Sequence, residues 1–238
     1  WLACARRYGD FLVSRQVADG SIAALWLWNG SEASPNFKTS SDHPVPFLVD
    51  LYAATGDGRY ARAATRAGEF CLSAVHDTYR YIGGAIDNPN VLDKEAGALA
   101  LQAFLALHQL TGESRWLQPA RQAATFCETW TYSWNVPIPK GDPEVVYPPS
   151  RSTLGVSLIA TGHSGADDFM AFVVYDYYRL YLLTGDPHYR RFARFLLHAT
   201  KQMMDWDGSL GYGLPGLLGE ACSLAPPRGH GVNKWLPW

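Results

Sequence analysis

Three copies of a Thr-Gly-acidic turn, each following an apolar helical run, constrain this chain more than any other feature. They are Thr55-Gly56-Asp57, Thr111-Gly112-Glu113 and Thr184-Gly185-Asp186. An aromatic stands five residues after each Thr (Tyr60, Trp116, Tyr189) and an alanine nine after it (Ala64, Ala120, Ala193). Cys71, Cys127 and Thr200 stand sixteen after it. Matched positions without gaps mark a repeated supersecondary unit, here with periods of 56 and 73 residues (55 to 111, then 111 to 184).

The second copy shows what the unit is. Lys94 to Leu110 lacks Pro and is apolar nearly all round, which predicts a buried helix. Gly112 suits the left-handed position that ends it. Ser114 to about Thr131 reads as an amphipathic helix, with Trp116, Ala120, Ala123, Ala124 and Cys127 on one face. Pro46–Ala54 with Arg59–Ala74, and Asp168–Leu183 with Pro187–Met204, repeat the pattern. Long loops rich in Gly, Pro and aromatics separate the pairs at 18–45, 76–93, 132–166 and 205–220. Loops of this length in a compact domain are usually functional. Strand signals are thin, with Ser157–Ala160 as a piece that pairs locally.

Composition narrows the class. The 238 residues are 47% hydrophobic and 18% charged, enough for a core and unlike a disordered chain. The net charge of −2 and the lack of a basic run argue against a nucleic-acid partner. No apolar stretch reaches the roughly 18 residues of a membrane helix. The four cysteines lack metal-type spacing, and Cys71 and Cys127 read as small buried apolar residues. No zinc set, P-loop or serine-elbow motif is present, so neither metal nor cofactor is expected. Trp1, Ala5 and Phe11 match Trp116, Ala120 and Phe126, which predicts a chain that starts inside a repeat. The expectation is a single catalytic domain over 1–238 that is a fragment, from a secreted or periplasmic protein, with a cytoplasmic one as the alternative.

Buried inner helices, amphipathic outer helices and long loops suggest all-α hairpin repeats in a closed ring. The turn pattern resembles that of the (α/α)6-toroid, or six-hairpin, carbohydrate-active enzymes. Gly83-Gly84-Ala85-Ile86-Asp87-Asn88 and Gly162-His163-Ser164-Gly165-Ala166-Asp167-Asp168 before inner helices carry the same resemblance. It implies part of an (α/α)6 toroid and a carbohydrate substrate. An open α-solenoid is the rival architecture, but its loops are short and its period fixed.

The repeat also works as a ruler. Sixteen residues before Thr111 is Glu95, and sixteen before Thr184 is Asp168; the first copy has Thr39 there. Acids at helix starts commonly cap free N–H groups. In a hairpin ring, however, the starts of inner helices converge on the substrate funnel. Neighbouring inner helices lie about 8–10 Å apart, so paired carboxylates there suit the general acid and base of a glycosidase. Asp168 and Glu95, with Asp167, are the catalytic candidates. Asp87, Asp93, His163, Trp134, Tyr212 and Arg151 are the substrate-binding candidates: acids and an imidazole for hydroxyls, aromatics for stacking on sugar faces, and Arg151 for a uronate carboxylate. The alternatives are a sugar epimerase or polysaccharide lyase on the same scaffold, and a non-catalytic helical-repeat binding protein.

Overall fold

The computed structural model describes residues 1–33, 38–84, 90–137, 147, 151–161, 165–210, 214–219 and 221–223. The chain forms two compact units, Trp1–Thr125 and Phe126–Trp238. Among the described residues, no helix is long and apolar enough to cross a membrane.

The first unit contains α1 (Leu2–Arg15), α2 (Val45–Thr55), α3 (Gly58–Cys71) and α4 (Lys94–Thr111). The expected hairpin of α2 and α3 is present, and α4 packs on both. Pro46 near the first turn of α2 loses no intrahelical bond, because the first N–H groups of a helix are unpaired in any case. The end of α3 widens into a π-turn, Leu72–His76, where Asp77 N donates to Leu72 O at 3.1 Å and Arg80 N to Val75 O at 2.8 Å. A 3-10 turn at Ser114–Trp116 leads into α5 (Leu117–Glu128), in place of one helix starting at Ser114. Pro119 is the reason: it has no N–H for the Arg115 carbonyl, and its ring would collide with that carbonyl in a continuous α-helix.

In the second unit, α6 (Val174–Thr184) and α7 (Pro187–Met203) form the hairpin. Before it lies a small antiparallel sheet of β1 (Ser157–Leu158), β2 (Gly165–Asp167) and β3 (Cys222–Ser223), in the order β1-β2-β3. Ser157 pairs with Asp167, and Ala166 with both Leu158 and Cys222. Tyr147, Val156, Ala166 and Met203 form the core that ties this sheet to the end of α7.

The Thr-Gly-acidic turns are built alike. The Thr hydroxyl donates to the carbonyl four residues back, Leu51, Leu107 or Leu180, at 2.6, 2.8 and 2.6 Å. It accepts from the N–H of the acid at 3.2, 3.1 and 3.2 Å. Gly56, Gly112 and Gly185 hold φ of 70°, 70° and 71°, and an added Cβ would meet nothing within 4 Å. Backbone conformation alone, not space, therefore demands glycine. Asp57 and Asp186 accept from the N–H two residues on and start the outer helix, while Glu113 instead pairs with Arg115. The repeat aromatics Tyr60, Trp116 and Tyr189 and the repeat alanines are all buried. Each large side chain so removed from water contributes roughly 1.5–3 kcal/mol. Cys71 and Cys127 are buried and not in a disulfide.

Candidate active site

The start of the inner helix in the second unit departs from an ordinary helix N-terminus. Asp167 ends β2 and is buried. Its Oδ1 accepts from Ser157 Oγ at 3.0 Å and from Phe169 N at 3.1 Å. The Phe169 N–H is thereby committed outside the helix. The chain then takes a 3-10 turn over Phe169–Val173, with Ala171 N donating to Asp168 O at 2.8 Å, before α6 begins. A continuous helix from Asp168 is thus replaced by a 3-10 lead-in of one and a half turns. Asp168 stands at the N-cap of that turn, and its side chain makes no capping bond. Asp167, not Asp168, meets the free N–H.

Trp134 lies beside the same sheet. It is 58% exposed and meets Tyr132 edge-on at 5.5 Å. Its carbonyl is fixed by Thr153 Oγ1 at 3.1 Å. Tyr132 is anchored by a reciprocal pair of backbone bonds, its N–H to Val156 O and Gly155 N to its own O, both 2.9 Å. An exposed indole on a fixed backbone is a surface on which a sugar face can stack.

Arg151, the candidate for a uronate carboxylate, is seen here as a clamp on the segment after α7. Nη1 donates to Gln202 O at 2.9 Å and Met204 O at 2.5 Å. Nη2 donates to Asp207 Oδ1 at 3.2 Å and Ser209 Oγ at 3.3 Å, and the group lies over the Trp206 ring. These contacts line one side of a cleft of about 620 Å³. With four donor contacts already made, Arg151 orders the cleft wall instead of presenting a free fork.

In the first unit the start of α4 is a conventional cap. The residue that caps it is Asp93, two before the Glu95 picked out by spacing. Asp93 Oδ1 accepts from Ala96 N at 2.7 Å and Oδ2 from Gly84 N at 3.0 Å, and Asp93 is fully buried. A Cβ on Gly84 would stand 2.1 Å from Ala96 N, so only glycine lets this loop close on the helix start. Asp93 therefore serves the helix start with both carboxylate oxygens. Lys94 is fully buried, with Nζ 3.7 Å from Oε1 of Glu95, whose own side chain is 16% exposed. Glu95 belongs to the first unit and Asp168 to the second.

Spacing missed Asp42 and His43, just before α2. Asp42 is 2% exposed. Burial foremost, with the Asp93 charge adding to it, pushes its carboxyl up to about 7, although the N–H groups of Asp42 and His43 pull the other way. Burial lowers the His43 ring to about 4. The ruler pointed instead to Thr39, whose hydroxyl donates to Ile82 O at 3.1 Å. The reason is helix length: α2 has 11 residues and α4 has 18, so the polar start of α2 lies closer to its turn. The usable signal was Ser40-Ser41-Asp42-His43 immediately before two prolines that fix a helix start. Asp87, His163 and Tyr212 lie outside the described residues.

No protein-family model matches the sequence, and comparison with curated proteins gives no match. Solved structures do match. An α-1,6-mannanase of Salegentibacter sp. HEL1_6, in an inactive variant with two consecutive aspartates replaced by asparagine and bound to α-1,6-mannotriose, aligns over 99% of this chain and 60% of its own, with a TM-score of 0.66 and 16% identity. A D-mannose isomerase aligns over 93% and 54%, with a TM-score of 0.62 and 14% identity. An unsaturated glucuronyl hydrolase from Streptcoccus agalactiae aligns over 100% and 51%, with a TM-score of 0.60 and 12% identity. The chain spans between half and three fifths of these proteins' length. All are (α/α)6-toroid enzymes, and the likeness shows that this chain has the α/α-hairpin fold of part of such a toroid.

Proposed function

We propose that this chain is part of a glycoside hydrolase, with the Asp167–Asp168 pair at the start of α6 as its catalytic carboxylates. One observation carries the reading. The sequence contains a single Asp-Asp pair, and the structure sets it at the lead-in to an inner helix. The matching mannanase is inactive when two consecutive aspartates are replaced. The two carboxyls here are in different states of constraint. Asp167 is oriented by Ser157 and Phe169, while Asp168 is not used for capping. That difference suits a division of labour, with Asp167 as the fixed carboxylate and Asp168 as the group that moves a proton to and from the glycosidic oxygen. Trp134 supplies a stacking surface in the same unit. The substrate class supported by the neighbours is an oligosaccharide, mannosidic in one case and uronate-bearing in another.

A test uses Asp168→Asn and Asp167→Asn in the full-length protein, assayed on α-1,6-mannooligosaccharides and unsaturated uronate oligosaccharides. The expected result is release of reducing ends by the wild type and a loss of about 10²–10⁴-fold in each folded variant. Folded variants with wild-type rates would remove the assignment. Likeness to the mannose isomerase and to a cellobiose 2-epimerase favours sugar isomerisation as the second reading. Chromatography of products separates the two: isomerisation changes the sugar without adding reducing ends.

A further inference from the structure

The outer helix of the second unit carries a charge pattern that the outer helix α3 does not. Between Pro187 and Met203, α7 holds Arg190, Arg191, Arg194 and Lys201 and no acid. In α3 the charges are answered. Arg59 pairs with Asp57 and Asp10, Arg66 donates to the Val17 and Ala18 carbonyls, and Glu69 takes Arg115. On α7, Arg190 lies over the Tyr181 ring. Arg191, Arg194 and Lys201 make no side-chain hydrogen bond, ion pair or ring contact among the described residues. The whole chain has a net charge of −2, so this cationic excess is local.

Helix geometry gathers these cations. With 3.6 residues per turn, Arg191, Arg194, His198 and Lys201 fall within about 80° of one another. That stripe is opposite the buried face of Tyr189, Ala193, Leu196, Ala199 and Met203. It runs about 15 Å along the axis, with neighbouring Cβ atoms about 5–6 Å apart. Solvation alone asks for no such bias, since an ordinary surface mixes both signs.

Two hollows meet on this face. Arg191, Arg194, Phe195, Leu197, His198 and Lys201 line a groove of about 490 Å³. Lys201 also lines the cleft of about 620 Å³ after α7, together with Trp206 and Asp207. Lys201 therefore joins groove and cleft. Asp207 is already answered by Arg151 at 3.2 Å, so it does not cancel Lys201. The Trp206 side chain stays 63% exposed although Arg151 lies over its ring.

We propose that the α7 groove and the adjoining cleft form a second binding site, built from residues other than those at the start of α6, for an anionic polysaccharide. Carboxylate or sulfate groups meet Arg191, Arg194 and Lys201, and a sugar face stacks on Trp206. The linear layout selects a polymer. A single small anion would satisfy one cation, whereas a chain with repeated charges meets all three. The class of polymer rests on the glycoside hydrolase reading; the site itself holds the chain and does not cleave it.

Calorimetric binding to the full-length protein tests this, with polygalacturonate as the probe and neutral mannan and single-stranded DNA as controls. Polygalacturonate is expected to bind, and to bind more weakly as salt rises from about 0.01 M to about 0.15 M, where the screening length falls from about 30 Å to about 8 Å. Arg191→Gln, Arg194→Gln and Lys201→Gln combined are expected to weaken binding by about 10–100-fold at the lower salt. Unfolding temperature should hold, because the three side chains are exposed and glutamine is a good helix former. Trp206→Ala is expected to lose about 3–10-fold at either salt, and Trp206→Tyr to retain most of the affinity. A wild type that does not bind the probe, or a triple variant that binds it equally well, would overturn the site. Single-stranded DNA bound as tightly as polygalacturonate, with no effect of Trp206→Ala, would overturn the polysaccharide class. Wild-type turnover in Asp168→Asn with these binding results intact would strike the catalytic reading alone.

Discussion

The starts of α4 and α6 carry acids at the same distance from their turns, yet the two helices begin in different ways. At α4 the buried Asp93 places one oxygen on Ala96 N and the other on Gly84 N, and a regular α-helix follows. At α6 the Asp167 carboxylate takes the first free N–H, the chain passes through a 3-10 turn, and Asp168 is left outside the capping. An acid whose oxygens meet helix N–H groups is part of the scaffold. Asp168 stands at a helix start without that duty. The comparison separates capping from non-capping carboxylates more sharply than spacing does.

The largest test of this contrast is Asp168→Asn. It is expected to lower turnover by about 10²–10⁴-fold while thermal unfolding stays close to wild type, since no capping bond is lost. Asp93→Ala is expected to do the reverse. It removes a buried cap and leaves the N–H groups of Ala96 and Gly84 unpaired, at a cost of about 2–3 kcal/mol in denaturant unfolding. If folded Asp93→Asn lost turnover without losing stability, the division between the two helix starts would collapse.

Arg151→Ala sharpens the picture in the second unit. Loss of its bonds to the Gln202 and Met204 carbonyls is expected to destabilise by about 1–3 kcal/mol and to raise amide exchange in the segment after α7. KM for a neutral and a uronate substrate would change to a similar extent; a selective loss for the uronate would restore Arg151 as a carboxylate ligand. The smallest effect belongs to the turns. Gly112→Ala meets no clash and is expected to cost about 1 kcal/mol through its positive φ alone, measured by chemical denaturation.

Much of the scaffold was legible because its causes are local. The Thr hydroxyl, the glycine and the acid of each turn interact within a few residues, so the motif defines its own geometry. The matched Tyr60, Trp116 and Tyr189 announce a buried face by periodicity. Asp167-Asp168 was also visible as a pair before an inner helix. The roles within the pair were not, because they depend on Ser157, ten residues away across β1 and β2. The contacts of Arg151 were hidden for a similar reason: its partners lie more than fifty residues further along the chain. Asp42 and His43 escaped the ruler because the shorter α2 moves its polar start.

The sequence by itself determined the hairpin unit, its turns, its buried stripe and the end of each inner helix where acids gather. These follow from bonds and periodicities only a few residues long. Tertiary structure decided which acid caps, which is left out of the cap, and which is buried so that its carboxyl is pushed up. Those outcomes depend on desolvation and on donors brought in from distant segments, and neither is written in the spacing of residues along one helix.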